Sequence, residues 1–290
     1  MRDYIIYTDT CADLGADMVK ELGIECYPMN FTLEGKDYAN YPDGREMSFH
    51  DFYERLRAGS MSSTSQITSV AFMDAFRPFL QAGKDILYLA FSSGLSGTVD
   101  SARLAADDLM AEFPDAKVIV VDTLAASLGE GLLVWHAVQQ KNAGKSIGEV
   151  AAWAEQNKLN LVHWFTVDDL NFLKRGGRVS GASAMLGTML NIKPVLHVDD
   201  DGHLINMEKV RGRKQSLNAL VNKMEETAIN PKDQMVFISH GDCWDDVEYV
   251  ASEVKRRFGT TQVYLNYIGP VIGSHSGPGT VALFFLGTKR

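Results

Sequence analysis

Residues 86–98 read ILYLAFSSGLSGT. The first six residues are a continuous apolar run, which is typical of a strand buried on both faces of a parallel sheet. The next seven carry four hydroxyl side chains with two glycines between them, and a helix is predicted from Thr98 to Glu112. A strand, a polar loop and a helix form the repeating unit of an α/β sheet, in which ligands bind where the strands end.

The same alternation extends through the rest of the first half. Further strands are predicted at Tyr4–Thr8, Ile24–Leu33 and Val118–Val121. Helices are predicted at Ala16–Leu22, Ser48–Ala58, Val70–Gln81 and Ala125–Lys141, and from the capping box of Ser146 and Glu149 through Asn157. We therefore predict an N-terminal α/β domain with a parallel sheet over residues 1–157.

The second half follows a different pattern. Strands are predicted at Leu159–Val167, Lys193–Val198, His203–Lys209, Met235–Ser239, Val263–Tyr267 and Val281–Leu286. Helices are predicted at Asp168–Lys174, Ala182–Leu190, Lys214–Thr227 and Asp242–Phe258. Because Asp201-Gly202 is a strong hairpin signal, we predict a C-terminal α/β domain with a mixed sheet over residues 158–290. No long Pro- or Ser-rich linker separates the halves, so the domains are expected to pack closely.

Composition and charge exclude several classes of protein. The chain has 290 residues, which favours two domains, and 28 Lys+Arg against 37 Asp+Glu give a net charge of −9. Nucleic acid binding needs a basic face, so nucleic acid is not expected as a main partner. No apolar run reaches the ~18 residues of a membrane helix, and the N-terminus lacks the apolar core of a signal peptide. We predict a cytoplasmic protein without stable membrane insertion.

The cysteines and the common sequence motifs indicate neither a metal nor a nucleotide site. Cys11, Cys26 and Cys243 are odd in number and scattered, which disfavours a disulfide framework or structural zinc. The dinucleotide and Walker A motifs are absent. His240 and the acidic residues after it match no metal-ligand spacing, and Asp242 is interpreted as a helix cap. We predict no metal and no cofactor.

The polar loop after Ile86–Phe91 is the best candidate for a binding site. The ends of Tyr4–Thr8 and Val118–Val121 would meet it at one edge of a parallel sheet. Glycines allow close approach of the backbone, and the following helix directs free N–H groups at the loop, which favours an anion. A second hydroxyl cluster, at Ser60–Gln66, is either a surface loop with a cap or part of the same site.

Three further features could carry chemistry. Arg178, after Gly176-Gly177, and Arg211 belong to basic clusters in an otherwise acidic chain, and arginine is well suited to phosphate or carboxylate recognition. His275 lies in Gly269–Thr280, which is predicted to be a rigid, tightly turned loop because it holds four glycines and two prolines. Most runs of charged residues are solvent-exposed surface, and most single histidines have structural roles. Functional roles for Arg178, Arg211 and His275 therefore have to be tested against their positions in the structure.

These motifs, in this order, resemble the DegV family, the fatty-acid-binding components of bacterial fatty acid kinases. The matching pieces are Thr8-Asp9-Thr10 with Asp13-Leu14, Thr64-Ser65-Gln66, the loop 92–98, Asp169-Leu170 through Leu173–Arg178, Ile192-Lys193-Pro194 and Gly273–Gly279. The resemblance implies two α/β domains with a long-chain fatty acid bound between them. It also implies an ATP-dependent fatty acid kinase subunit as partner.

The resemblance also assigns roles to residues. Thr64 and Ser96 would hold the fatty acid carboxylate and His275 would belong to the same polar network, and we add the neighbouring Ser65 and Ser93 to this predicted site. Arg178 and Arg211 would face the kinase partner and the acyl phosphate. The apolar helices Val70–Leu80 and Ala182–Leu190 are candidate walls of the acyl tunnel.

Three functions remain open at this point. The first is a non-catalytic carrier with no catalytic residue, which presents a bound fatty acid to a kinase. The second is a serine hydrolase acting on lipid esters through Ser96, with a base from the His275 region and Asp122 as orienting group, although the elbow motif G-x-S-x-G is broken. The third is a lipid-sensing regulator that uses the same pocket.

Overall fold

Two α/β domains are present, as predicted. The structure is a computed structural model that describes residues 2–179 and 191–290; the predicted helix Ala182–Leu190 lies outside these residues. The described residues form a four-stranded parallel sheet, a six-stranded mixed sheet and a three-stranded antiparallel sheet. The proposed domain boundary after Asn157 falls where a helix gives way to a short 3-10 turn at Lys158–Asn160.

The bounds of the elements are as follows. The strands are β1 (Tyr4–Asp9), β2 (Glu25–Tyr27), β3 (Asn30–Leu33), β4 (Lys36–Ala39), β5 (Ser62–Thr64), β6 (Asp85–Ala90), β7 (Val118–Asp122), β8 (Leu161–Thr166), β9 (Ile192–Val198), β10 (Leu204–Arg211), β11 (Met235–His240), β12 (Gln262–Tyr267) and β13 (Val281–Leu286). The helices are α1 (Ala16–Leu22), α2 (Phe49–Arg57), α3 (Ser69–Gln81), α4 (Thr98–Glu112), α5 (Leu128–Asn142), α6 (Ile147–Asn157), α7 (Asn171–Gly176), α8 (Arg213–Thr227), α9 (Trp244–Phe258) and α10 (Pro270–Ser276). In this part of the chain no helix has the length and apolar character needed to cross a membrane.

The parallel sheet of the first domain has the order β2-β1-β6-β7. All six residues of β6 are buried, as the continuous apolar run predicts for a strand covered on both faces. Its Ile86 and Tyr88 pack with α3 and α4, whereas Leu87 and Leu89 pack with α5 and α6. The loops after β1, β6 and β7 therefore meet at one edge, where the amide of Phe91 donates to Asp9 Oδ2 at 3.4 Å.

The mixed sheet of the second domain has the order β10-β9-β8-β13-β11-β12. Its only parallel pair among the described strands is β11 with β12, and β9 and β10 form the predicted antiparallel hairpin. The turn of this hairpin contacts the first domain, because Ser92 Oγ donates to the carbonyl of Gly202 at 2.9 Å. Gly202 has a φ of 78° and leaves no room for a side chain against Ser92.

The third sheet corrects two predictions. The single strand predicted at Ile24–Leu33 is two strands in different sheets, since β2 pairs with β1 and β3 pairs with β4 and β5. The hydroxyl cluster at Ser60–Gln66 contains β5, in which Thr64 stands opposite Phe31. A three-residue polar strand lacks the alternation of apolar and polar residues by which strands are predicted, and its pairing partner lies some thirty residues away in the sequence. Local patterns therefore predict a loop here.

The segment Gly269–Thr280 is not a loop throughout, and that prediction was wrong. Pro270 starts the helix α10, a position where proline is favoured because its missing N–H would have no partner in any case. Gly273 lies within this helix, against α2. A Cβ there would stand 2.6 Å from Tyr53 Oη and 2.9 Å from Phe52 Cε1. This glycine therefore serves close helix packing, a use that composition cannot distinguish from a turn.

We expect the substitution Gly273→Ala to destabilise the protein. The added methyl group forces Tyr53 or the helix backbone to move, which costs about 1–3 kcal/mol of the free energy of unfolding. Urea denaturation measures this change. Gly148→Ala in α6 is the matched control, because nothing lies within 4 Å of its Cβ position and the change should be neutral or stabilising by up to about 1 kcal/mol. Equal stability of the two variants would contradict the packing argument.

Candidate functional site

A cavity of about 330 Å³ lies between the two domains. Its walls are mainly apolar and come from both halves of the chain. The apolar lining residues are Met29, Phe91, Leu95, Ala126, Phe165, Leu173, Val198, Leu204, Ile268, Val271, Ile272, Ala282 and Phe284. Apolar surface of this kind favours an apolar occupant, because water in the cavity would find few hydrogen-bond partners.

Polar side chains gather at one end of the cavity. Thr64 Oγ1 lies 2.8 Å from His275 Nε2, which brings β5 and α10 together. Ser96 Oγ lies 2.9 Å from Thr98 Oγ1, at the start of α4. Three separate segments thus place hydroxyl groups and an imidazole at this end of the cavity. Such groups can donate several hydrogen bonds to one small anionic head group.

The first turn of α4 adds a positive potential at this end. Gly97 is the N-cap of this 15-residue helix and provides no side-chain hydrogen bond. The helix dipole places partial positive charge there, which favours an anion. A Cβ at Gly97 would collide with Gln66 Oε1, while Gln66 Nε2 donates to Ser101 Oγ at 3.2 Å. A side chain at Gly97 would therefore displace the amide of Gln66, which connects the two hydroxyl-bearing segments.

The imidazole of His275 is neutral near pH 7. Burial, assisted by the positive charge of Arg178, lowers the pKa of His275 to about 4. A neutral ring that carries its proton on Nε2 donates to Thr64 Oγ1, which leaves the Thr64 hydroxyl proton for another acceptor. Nδ1 has no hydrogen-bond partner among the described residues. The pair can therefore present a donor to an anion without any charge of its own.

The structure brings together five of the residues predicted for the site. Thr64, Ser65, Ser96, His275 and Arg178 all line the cavity. Arg178 is exposed at the edge, and its Nε donates to the carbonyl of Leu95 at 3.3 Å.

Two predicted residues lie away from the cavity lining. Ser93 is exposed, and its backbone amide donates to Asp122 Oδ1 at 3.2 Å. It is only three residues from Ser96, but the loop turns between them, since the amides of Leu95 and Ser96 both donate to the carbonyl of Ser92. Arg211 is exposed at the end of β10 and does not line the cavity.

Sequence reasoning missed several polar residues of the cavity. They are Gln66, Ser127, His163, Ser276 and Thr280. Gln66 follows directly on Thr64-Ser65 and could have been included with them. Ser276 and Thr280 lie in the segment Gly269–Thr280, which the sequence analysis already singled out for His275. Ser127 and His163 had no local signal, because the hydroxyl of Ser127 bonds to Asp13, 114 residues away, and His163 lies in a fully buried strand.

Ser96, His275 and Asp122 do not form the catalytic triad that the hydrolase alternative requires. Ser96 pairs with Thr98, and His275 pairs with Thr64 rather than with Ser96. The carboxylate of Asp122 accepts from the backbone amides of Ser93 and Leu124. No Ser–His–carboxylate chain joins these three side chains in the described residues, whereas nucleophilic catalysis depends on that geometry.

One group of possible metal ligands lies outside the cavity. Among the described residues, ligand atoms of His50, Glu54 and Asp242 approach within 4.8 Å of one another. Asp242 already forms an ion pair with the guanidinium of Arg57, which occupies the position a cation would take. Asp242 does not cap α9 as interpreted above, since the N-cap is Cys243.

Fold and site together define a two-domain α/β protein with a largely apolar cavity between its domains and hydroxyl-bearing side chains in the cavity lining. The DegV family model matches residues 4–288, and the chain belongs to this family.

Solved and curated relatives match the chain over its full length. A DegV domain-containing protein of Clostridium perfringens is 46% identical, over 100% of this chain and 99% of the relative. A structure described as showing fatty acid binding of a DegV family protein from Thermus thermophilus is 33% identical, with a TM-score of 0.87, over 99% of this chain and 100% of that one. A DegV lipid binding protein from Thermotoga maritima is 29% identical, with a TM-score of 0.86, over 99% of each chain.

We expect His275 to make the stability of the protein depend on pH. Its pKa is about 4 in the folded protein and about 6.5 in the unfolded chain, so the unfolded chain binds more protons between these values. This histidine therefore contributes stability above pH 6.5 that is lost as the pH falls towards 4. The substitution His275→Gln keeps a donor to Thr64 but removes the titrating group. It should reduce the slope of the unfolding free energy against pH by up to about 1.4 kcal/mol per pH unit.

Urea denaturation at several pH values measures the slope for both proteins. The comparison is needed because the buried carboxyls of Asp13 and Glu130 have raised pKa values and change stability in the opposite direction. Identical slopes in the two proteins between pH 6.5 and 4 would show that His275 is not held neutral by burial.

Proposed function

We propose that the protein binds a long-chain fatty acid between its domains and presents the carboxylate at the polar end of the cavity. The observation that carries this proposal is the continuity of one cavity from apolar walls to the cluster of Thr64, Ser96 and His275. The relatives from Thermus thermophilus and Thermotoga maritima, described as fatty acid binding and lipid binding, support it.

The energetics favour an occupant with this shape. Each methylene group moved from water into the cavity contributes ~0.8 kcal/mol. A carboxylate that leaves water needs several hydrogen bonds, because an unpaired buried charge is prohibitive. The hydroxyls of Thr64 and Ser96 and the first turn of α4 can supply them, and no metal or further cofactor is needed for this role.

In this proposal the protein is a carrier rather than an enzyme. Its partner is an ATP-dependent fatty acid kinase subunit that converts the bound acid to an acyl phosphate. Arg178 lies at the edge of the cavity beside the predicted carboxylate site, where its positive charge can stabilise a phosphate. Arg211, exposed on β10, is proposed as a contact to the kinase surface.

The cysteine chemistry supports a cytoplasmic setting for this carrier. Cys11, Cys26 and Cys243 are all free thiols in the structure. Reducing compartments keep thiols in this state, and disulfides are rare there.

We expect Ser96→Ala to weaken fatty acid binding. Loss of a hydrogen bond to a charged carboxylate costs about 1.5–3 kcal/mol, or roughly 10- to 100-fold in the dissociation constant. Native mass spectrometry of the purified protein, followed by denaturing extraction and lipid analysis, measures occupancy and identifies the acid. Ser93→Ala is the matched control, because Ser93 lies in the same loop but is exposed and does not line the cavity.

Two outcomes would overturn the proposal. If the wild-type protein stays free of ligand after incubation with fatty acids, the chain is not a carrier. If it hydrolyses lipid esters and Ser96→Ala abolishes that turnover, the hydrolase alternative is correct.

We expect Arg178→Ala to separate binding from phosphorylation. The variant should still bind fatty acid, since Thr64, Ser96 and His275 are unchanged, but should form acyl phosphate at least about tenfold more slowly because a cation beside the reacting oxygens is lost. Hydroxylamine trapping of acyl phosphate, with ATP and a bacterial fatty acid kinase subunit, measures the rate. Arg103→Ala on α4 is the control, since Arg103 pairs with Asp100 on the exposed face and does not line the cavity. An undiminished rate in Arg178→Ala would remove Arg178 from the phosphate-binding role.

A further inference from the structure

A smaller pocket, which we call the vestibule, lies against the polar end of the cavity. It has a volume of about 200 Å³ and shares Thr64, Arg178 and His275 with the cavity lining. It reaches the protein surface, because its wall also includes the exposed side chains of Met61 and Arg175. A partner that acts on a carboxylate held by Thr64 can therefore approach it from this side.

A larger groove, which we call the interdomain groove, continues the vestibule where the two domains meet. Its volume is about 480 Å³, and it shares Met61, Phe172 and Arg175 with the vestibule. Both domains supply its walls, the first through Arg57, Gly59 and Met61 and the second through Asp168, Phe172 and Pro278. A molecule seated in this groove contacts both domains at once.

Two apolar side chains in the groove are available to a partner. Met61, just before β5, has a relative exposure of 60%. Phe172 on α7 is half-buried and packs against Gly277, where a Cβ would collide with its ring. The guanidinium of Arg175 lies 4.5 Å from the centre of that ring. Methionine, aromatic and arginine side chains are the types enriched in protein interfaces.

The position of Met61 distinguishes it from other exposed apolar residues. Leu104 and Met207 are exposed to a similar degree. Neither lines the cavity, the vestibule or the interdomain groove. Single exposed apolar residues need no explanation, but one that stands beside a second apolar side chain in a groove can anchor a partner.

The arginines that lack a carboxylate partner are concentrated near this groove. Most arginines of the chain form ion pairs. Among the described residues the exceptions are Arg175, Arg178, Arg211 and Arg290. Arg290 is held by four backbone carbonyls, whereas the other three are exposed.

These three arginines border one surface. Arg175 and Arg178 line the vestibule. Arg211 lies two residues from Arg213, whose guanidinium is 3.6 Å from the carboxylate of Asp168 in the groove wall. The chain as a whole has a net charge of −9, so a cationic surface without internal partners favours an acidic surface on whatever binds there.

We propose that the vestibule and the interdomain groove together form the docking face for the kinase subunit. Met61 and Phe172 are its apolar anchors, and Arg175 contacts an acidic region of the kinase. This inference rests on the proposed function, which supplies both the partner and the carboxylate to be phosphorylated. Docking here brings the phosphate donor to Thr64 and His275, which line the vestibule as well as the cavity.

The test measures how a bacterial fatty acid kinase subunit binds to the full-length protein loaded with fatty acid. Biolayer interferometry gives the dissociation constant. We expect Met61→Glu to weaken kinase binding at least about tenfold, because a charge replaces an apolar anchor. Arg175→Glu should weaken it at least about fivefold at low salt and less at high salt, because salt screens the lost attraction. Neither change should alter fatty acid binding, since neither side chain lines the cavity.

Leu104→Glu is the matched control, because Leu104 is 62% exposed on α4 and lies outside the docking face. Unchanged kinase affinity in both Met61→Glu and Arg175→Glu overturns the inference, and so does an equal loss in Leu104→Glu. A wild-type protein that holds fatty acid but does not bind the kinase also overturns it and leaves fatty acid binding intact. Failure to bind any fatty acid contradicts the proposed function itself.

Discussion

The buried carboxylate of Asp13 joins the parts on which the site depends. Its Oδ1 accepts from the amide of Gly269 at 2.8 Å, at the start of the helix that carries His275. Its Oδ2 accepts from Ser127 Oγ at 2.6 Å, at the start of α5. Burial raises the pKa of this carboxyl well above its usual range. The hydrogen bonds from Ser127 and Gly269 partly offset this effect of burial. The position of His275 relative to the first domain follows from this contact.

The ends of the parallel strands and the close packing of the two domains make the cavity. Leu89 of β6, Leu132 of α5 and Phe165 of β8 belong to one hydrophobic core cluster, so the domains share apolar packing. The loop after β6 supplies Ser96 and the N-terminus of α4, while β5 and α10 supply Thr64 and His275. Thr64 and His275 are thus attached to a strand and a helix, and Ser96 lies two residues before α4, so three separate segments form the polar end.

The sequence predicted the architecture well where the hydrophobic period is clear. The run Ile86–Phe91 is fully buried, and the strong turn at Asp201-Gly202 forms the expected hairpin. Prediction from the sequence failed where the structure depends on contacts between residues that are far apart in the chain. Nothing local distinguishes β5 from a loop, and Gly273 is read as a turn residue although it serves packing against Tyr53. The position of His163 in the cavity depends on how two domains face each other, which no pattern in β8 encodes.

The seam between the domains has a further consequence. Ser92 of the first domain donates to Gly202 of the second, and a Cβ at Gly94 would stand 2.8 Å from the carbonyl of Asp201. A ligand that touches both sides of the cavity stabilises only the docked arrangement of the domains. If the cavity binds a fatty acid as proposed, the two domains should separate along this seam less often in the loaded protein than in the empty one. Under the proposed function, the frequency of this separation would report to a partner whether the cavity is occupied, without any contact between the partner and the buried acyl chain.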